Sequence, residues 1–89
     1  MEKYLLEMKQ FIEDNTPMQM NSETRTRIRA YKCVNDWLKI AAEENNYKMF
    51  KYAIERAEYD LEAYNMVGII DSYDCNIIAE IIWNMKDAF

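Results

Sequence analysis

Hydrophobic residues recur every three or four positions through almost the whole chain, which is the period of an amphipathic α-helix. The first segment has Leu5, Met8 and Ile12 on one face, flanked by Tyr4 and Phe11. The third segment carries the most regular stripe, with steps of four, three, four and three residues: Phe50, Ile54, Ala57, Leu61 and Tyr64. The pattern therefore predicts a bundle of amphipathic helices packed through these stripes.

Capping and helix-breaking residues set the bounds of four predicted helices, at about residues 2–14, 22–44, 47–66 and 72–87. Asn15 to Pro17 should end the first helix, and Asn46 can cap the third. Gly68 supplies a stop for the third helix, and Asp71 can cap the fourth.

The segment before the second helix contains two competing start signals. Thr16, Pro17 and Gln19 fit an N-cap, a first-turn proline and a capping-box partner, which favours a short helical turn at residues 17–20. Asn21 and Ser22 then provide a second start. One long second helix is the alternative, and we favour the short turn followed by the main helix.

Composition supports an all-α fold, because the 89 residues include one glycine and one proline. A sheet protein needs turns, and turns depend heavily on these two residue types. A chain of this length forms one domain, so residues 1–89 are expected to be a single helical domain.

The formal net charge of −5 is unevenly distributed. Residues 22–41 contain five basic and two acidic side chains, whereas the rest of the chain is acidic. On a helix, four of the basic residues form one stripe: Arg25, Arg29, Lys32 and Lys39. This stripe could contact nucleic acid or an acidic partner, but the overall acidity makes direct nucleic-acid binding the less favoured interpretation.

The candidate chemistry is sparse, because the chain contains no histidine, the commonest general base and metal ligand. Cys33 and Cys75 lie in apolar helical patterns without an activating partner, and we interpret them as reduced core residues, with a disulfide left open. We therefore expect no enzymatic activity, no cofactor and no metal site.

Several side chains do not fit a simple division into core and solvent. Tyr52 and Tyr59 lie about 180° from the stripe that runs through Phe50, and Met66 continues their line. Trp83 faces the polar side of the last helix. Exposed aromatic and methionine residues are typical of protein interfaces, although another helix of the bundle could cover these.

Acidic residues accompany this row on the third helix: Glu55, Glu58 and Glu62. They have no Glu-x-x-His partner of the kind used in helical metal sites. Together with Tyr52, Tyr59, Met66 and Trp83, they are the predicted partner-binding residues. Their charge suits a larger protein with a basic surface.

The last helix has an apolar face that looks wide for a four-helix monomer: Ile77, Ile78, Ile81, Ile82 and Met85. Symmetric dimerisation would cover a surplus of apolar surface. A homodimer or another homo-oligomer is therefore a further expectation.

We expect a non-catalytic protein–protein interaction module. Its most concrete form is a small acidic inhibitor that blocks a nucleic-acid-binding or nuclease protein. In size, acidity and helical character the chain resembles small acidic helical proteins of phages and mobile elements, including anti-CRISPR and other counter-defence inhibitors. The alternatives are a small DNA- or RNA-binding regulator that uses the basic stripe, and a structural subunit of a homo-oligomer.

The N-terminal residues mix charged and apolar side chains, unlike a signal peptide. No segment approaches the roughly 20 apolar residues of a membrane span. The expected location is the cytoplasm, without membrane association.

Overall fold

Four α-helices account for most of the chain in a computed structural model that describes all 89 residues. They are α1 (Glu2–Asp14), α2 (Ser22–Glu43), α3 (Tyr47–Met66) and α4 (Ser72–Lys86), and no residue lies in a strand. The all-α prediction is confirmed. The bounds differ from prediction only where α2 and α4 each end one residue early, because Glu44 is extended and Asp87 is the C-cap.

Asparagine and aspartate side chains begin three of the helices. Asn21 Oδ1 accepts a 2.8 Å hydrogen bond from the backbone N–H of Thr24, and Asp71 Oδ1 accepts one of 2.8 Å from that of Asp74. Asn46 accepts from two successive backbone N–H groups at the start of α3. These caps satisfy donors that would otherwise lack partners.

The predicted helical turn at residues 17–20 is wrong. The Thr16 hydroxyl donates a 2.6 Å hydrogen bond to the carbonyl of Ile12, so it completes the end of α1 instead of capping a new helix. Residues 17–20 contain no helix, only a bend at residues 18 and 19, and Asn21 then starts α2. The favoured start of the main helix near Ser22 is confirmed.

Gly68 ends α3 with a left-handed backbone conformation, at φ 80°. The chain then folds back, because the N–H groups of Ile69 and Ile70 both donate to the carbonyl of Tyr64, at 3.0 and 3.2 Å. The Asn65 side chain donates to the Ile70 carbonyl at 3.0 Å. This turn buries Ile70 and directs the chain into α4.

The core lies where the four helices meet. α2 packs most extensively against α3, α3 packs against α4, and α1 lies across α2 and α4. The predicted stripe on α3 is buried from Phe50 to Leu61, and Tyr64 is half-buried. Trp37, Cys33 and Cys75 are half-buried, so the prediction that the two cysteines are core residues is only partly right; both are free.

The apolar face of α4 is covered within a single chain. Ile78, Ile81, Ile82 and Met85 are all buried by the other helices, and Ile77 is half-buried. The expected surplus of apolar surface is therefore wrong, because α1 and α3 both pack against α4. The homo-oligomer stays a prediction without this support.

None of the four helices combines the length and the apolar character needed to cross a bilayer.

Candidate functional site

The outer face of α3 presents a row of exposed apolar side chains, which we call the α3 ridge: Tyr52, Tyr59 and Met66. Their exposed fractions are 53%, 65% and 78%. Successive members are seven residues apart, which corresponds to about 10.5 Å along the helix axis. No other helix covers the ridge, so the alternative of burial inside the bundle is wrong.

Two residues of the ridge also belong to a cluster that joins α2 and α3. We call it the aromatic–arginine cluster, and it consists of Trp37, Tyr52, Arg56 and Tyr59. Trp37 and Tyr52 meet edge to face, with ring centroids 6.1 Å apart. The Arg56 guanidinium lies 5.4 Å from the ring centroid of Trp37 and 5.6 Å from that of Tyr59. One cation thus connects the two aromatic groups, within the range of cation–π attraction.

Asp60 holds this cluster in place. Its Oδ2 accepts a 3.1 Å hydrogen bond from the indole N–H of Trp37, and its Oδ1 lies 3.9 Å from Nη2 of Arg56. Two members of the cluster are therefore oriented by the same carboxylate. Side chains that are already ordered lose less conformational entropy when a partner binds.

Sequence reasoning missed Trp37 and Arg56 as parts of this surface. Helical periodicity places Trp37 on an apolar flank of α2, which predicts burial, and the only signal at Arg56 is a carboxylate four residues later. The Arg56–Asp60 spacing was a detectable signal for a local ion pair. The contact with Trp37 depends on the register between α2 and α3, which no local pattern encodes.

The acidic residues lie on the side of the ridge that faces α4, and they differ in their ion pairing. Glu55 is 4.0 Å from the ammonium of Lys51, and Glu58 is 3.5 Å from that of Lys86. Glu62 is exposed and has no ion-pair partner. The three carboxylates form an acidic border along the ridge, and Glu58 and Glu62 also line the space between α3 and α4.

A groove of about 270 Å³ separates α3 from α4 and brings Trp83 together with two of these carboxylates. Trp83 is 61% exposed and forms one wall, with the ammonium of Lys86 5.7 Å from its ring centroid. The residues that line the groove are Glu58, Leu61, Glu62, Asn65, Cys75, Ala79, Ile82 and Trp83. The predicted partner-binding residues thus share one side of the molecule.

The basic stripe lies on a different flank of α2. Arg25, Arg29, Lys32 and Lys39 are all exposed, and none of them makes an ion pair within the chain. Arg25, Arg29 and Lys32 border one shallow groove. Lys32 and Lys39 also border a second groove of about 710 Å³ between α1 and α2, where Glu13 and Asp36 offset part of their charge.

The reactive groups near the α3–α4 groove are poorly suited to nucleophilic chemistry. Burial, followed by the negative charge of Glu62, raises the pKa of the Cys75 thiol above its ordinary value. A raised pKa keeps the sulfur protonated, whereas the thiolate is the reactive species. No group of three or more histidine, cysteine, aspartate or glutamate side chains comes together in a metal-binding arrangement.

Comparison with protein-family models, curated proteins and solved structures found no match to this chain.

Proposed function

We propose that the protein is a non-catalytic interaction module that binds a larger protein through the outer face of α3. The observation that carries the proposal is the aromatic–arginine cluster, in which exposed Tyr52 and Tyr59 adjoin half-buried Trp37 and Arg56, and Asp60 orients the latter two. Tryptophan, tyrosine and arginine dominate the energetics of protein interfaces. The cluster contains all three residue types in mutual contact.

The carboxylates beside the ridge define the chemistry of the partner. Glu55 and Glu62 are exposed next to Tyr52, Tyr59 and Met66, so the surface combines negative charge with aromatic rings. Single-stranded nucleic acid offers a similar combination, because its phosphates are anionic and its bases stack on aromatic side chains. A basic nucleic-acid-binding groove is therefore a suitable partner surface.

In its most concrete form, the protein is a cytoplasmic inhibitor that occupies the nucleic-acid-binding surface of a nuclease or a similar protein. This form of the proposal follows the chain's likeness, in size, acidity and helical character alone, to small acidic phage proteins, anti-CRISPR inhibitors among them. The mechanism is occlusion: the bound module excludes nucleic acid from the groove and needs no chemical step.

The test begins with a photo-reactive benzoylphenylalanine introduced at Tyr59, to crosslink the partner in a native lysate. The same group at Leu6, a comparably exposed position on α1 (57%), is the matched control. The purified partner is then titrated with a labelled single strand, and separately with a labelled duplex, in the presence of the protein. We expect crosslinking at Tyr59 alone, and competition between the protein and each nucleic acid.

Charge-reversal variants complete this test. Glu55→Lys combined with Glu62→Lys should abolish the competition, whereas Glu7→Lys combined with Glu13→Lys on α1 should leave it nearly unchanged at equal net charge. Equal losses in both pairs would show that only the overall charge matters. A partner that binds the protein and the duplex simultaneously would refute occlusion.

The unpaired basic stripe favours a second candidate, a regulator that binds DNA or RNA directly through Arg25, Arg29, Lys32 and Lys39. Its signature is binding to random duplex by the isolated protein, with an affinity that falls steeply as salt rises. The inhibitor, by contrast, should not bind duplex alone. Replacing Arg25 and Arg29 with glutamine separates the two functions, since only the regulator should be impaired.

A further inference from the structure

The groove between α3 and α4 has an apolar floor and an acidic rim. Leu61 and Ile82 are buried at its base, and Ala79 continues the apolar lining. Glu58 and Glu62 stand on the α3 side, and the exposed ring of Trp83 stands on the α4 side. The site can therefore accept a hydrocarbon stem that carries a cationic end.

One cation of the chain itself already lies at the mouth of this groove. The ammonium of Lys86 is 3.5 Å from a carboxylate oxygen of Glu58 and 5.7 Å from the ring centroid of Trp83. The space between ring and carboxylate is thus sized for a cationic group. Lys86 neutralises only one of the two carboxylates, because Glu62 has no ion-pair partner.

We propose that this groove receives an arginine side chain of the protein partner, with the guanidinium stacked on Trp83 and hydrogen-bonded to Glu62 and Glu58. The proposal rests on the proposed function and adds the chemistry of one contact. It extends the interface from the α3 ridge to α4.

Arginine fits better than lysine for two reasons. A planar guanidinium stacks on an indole ring, and its five donors can reach two carboxylates at once, whereas an ammonium acts as a point charge. The three methylene groups of the stem would cover the apolar floor, as long charged side chains commonly do.

The position of Lys86 implies competition, because an incoming guanidinium needs the carboxylate of Glu58 and the face of Trp83. Lys86 must move aside for the arginine to bind. Removing this lysine should therefore strengthen arginine binding, which a groove without a binding role would not show.

The experiment titrates the ¹⁵N-labelled protein with N-acetyl-arginine amide and follows the two indole N–H signals by NMR. The Trp83 signal should shift and saturate, with a dissociation constant on the order of millimolar. The Trp37 signal, from the aromatic–arginine cluster, is the internal control and should stay nearly constant. The neutral isostere N-acetyl-citrulline amide should not reproduce the shift.

Matched variants test the assigned contacts. Glu62→Gln should weaken arginine binding about threefold, whereas Glu7→Gln, at an exposed position on α1 outside the groove, should change it little. Lys86→Gln should strengthen binding about threefold. Lys51→Gln is its control, because it makes the same change in net charge while its partner is Glu55, outside the groove.

Equal shifts with citrulline, no saturable shift of Trp83, or equal effects of Lys86→Gln and Lys51→Gln would each overturn the arginine proposal. This outcome is distinguishable from failure of the proposed function, because the probe is too small to need the α3 ridge. If the groove does not bind arginine, crosslinking at Tyr59 can still occur, and the proposed function stands. Arginine binding without crosslinking at Tyr59 would instead refute the larger interface.

Discussion

The phenol hydroxyl of Tyr31 on α2 donates a 2.7 Å hydrogen bond to Oδ2 of Asp74 in the first turn of α4. Tyr31 also receives the ring of Phe11 from α1 edge to face, with centroids 5.0 Å apart. One fully buried side chain therefore ties three helices together. The Asp74 carboxylate lies in the first turn of α4, near the positive end of the helix dipole.

This arrangement predicts a loss of stability at alkaline pH. Burial, followed by the hydrogen bond to Asp74, raises the pKa of Tyr31 well above its ordinary value of 10.0. Above about pH 10 the unfolded chain releases the phenol proton while the folded chain retains it, so the free energy of unfolding falls as pH rises. Urea unfolding at about pH 9 and about pH 11 measures this decline.

Tyr31→Phe is the variant that assigns the alkaline effect. It should unfold with a free energy roughly 2 kcal/mol lower at neutral pH, because it removes a hydrogen bond to a carboxylate. It should also lose less stability between the two alkaline conditions. The same alkaline loss in the variant and the parent would show that other groups cause it.

Tyr52→Ala combined with Tyr59→Ala should leave folding nearly intact and weaken partner binding. Both rings are mostly exposed, and their contacts with Trp37 and Arg56 are worth roughly 0.5–1.5 kcal/mol each. Leu61→Ala, at a buried position, should cost roughly 2–5 kcal/mol. Thermal unfolding compares the double variant with Leu61→Ala. A large loss of stability in the double variant would mean that both rings support the core.

Asn35 is the buried polar side chain whose replacement should be tolerated. It is 7% exposed, and its Oδ1 is buried without a hydrogen-bond partner. Asn35→Leu should preserve stability or raise it by up to about 1 kcal/mol, since an unpaired buried polar group is costly. The control is Asn65→Leu, which loses the hydrogen bond to Ile70 and should destabilise the protein. Chemical denaturation measures both, and a large loss in Asn35→Leu would contradict this prediction.

Gly68→Ala should cost about 1 kcal/mol for backbone reasons alone. The residue has φ 80°, and an added Cβ would meet no atom within 4 Å. Gly68→Asn should cost less, because asparagine tolerates the left-handed conformation better than alanine does. Equal urea midpoints for the two variants would show that conformational preference does not decide stability here.

Much of the fold follows from the sequence because its determinants are local. Helix periodicity and the caps Asn46 and Asp71 act within one turn of the chain, so the predicted helix bounds agree with the observed ones to within one residue. Thr16 was misassigned because its hydroxyl can serve either the helix before it or one after it. In the structure the hydroxyl donates to the carbonyl of Ile12 on α1. The sequence alone does not show which of the two hydrogen bonds forms.

For the candidate site, too, local features were predictable and features that depend on helix packing were not. The direction of the ridge relative to the core stripe was predictable, because Tyr52 and Phe50 lie on opposite sides of one helix. That no other helix covers the ridge was not, because it depends on how the helices pack. The contact of Trp37 with this surface was not predictable either, because it depends on the register between α2 and α3. The coverage of Ile81 and Ile82 likewise depends on how α1 and α3 pack on α4, and counting apolar residues does not provide this.

The basic flank of α2 and the acidic border of α3 give the molecule an electric polarity. A partner with a positive groove would attract the α3 side and repel the α2 side while the two proteins are still separated by solvent. The approach would thus be oriented before any ring touches the partner. If the partner is the one proposed, added salt should slow association far more than it speeds dissociation, because salt screens charges and hardly affects aromatic contacts.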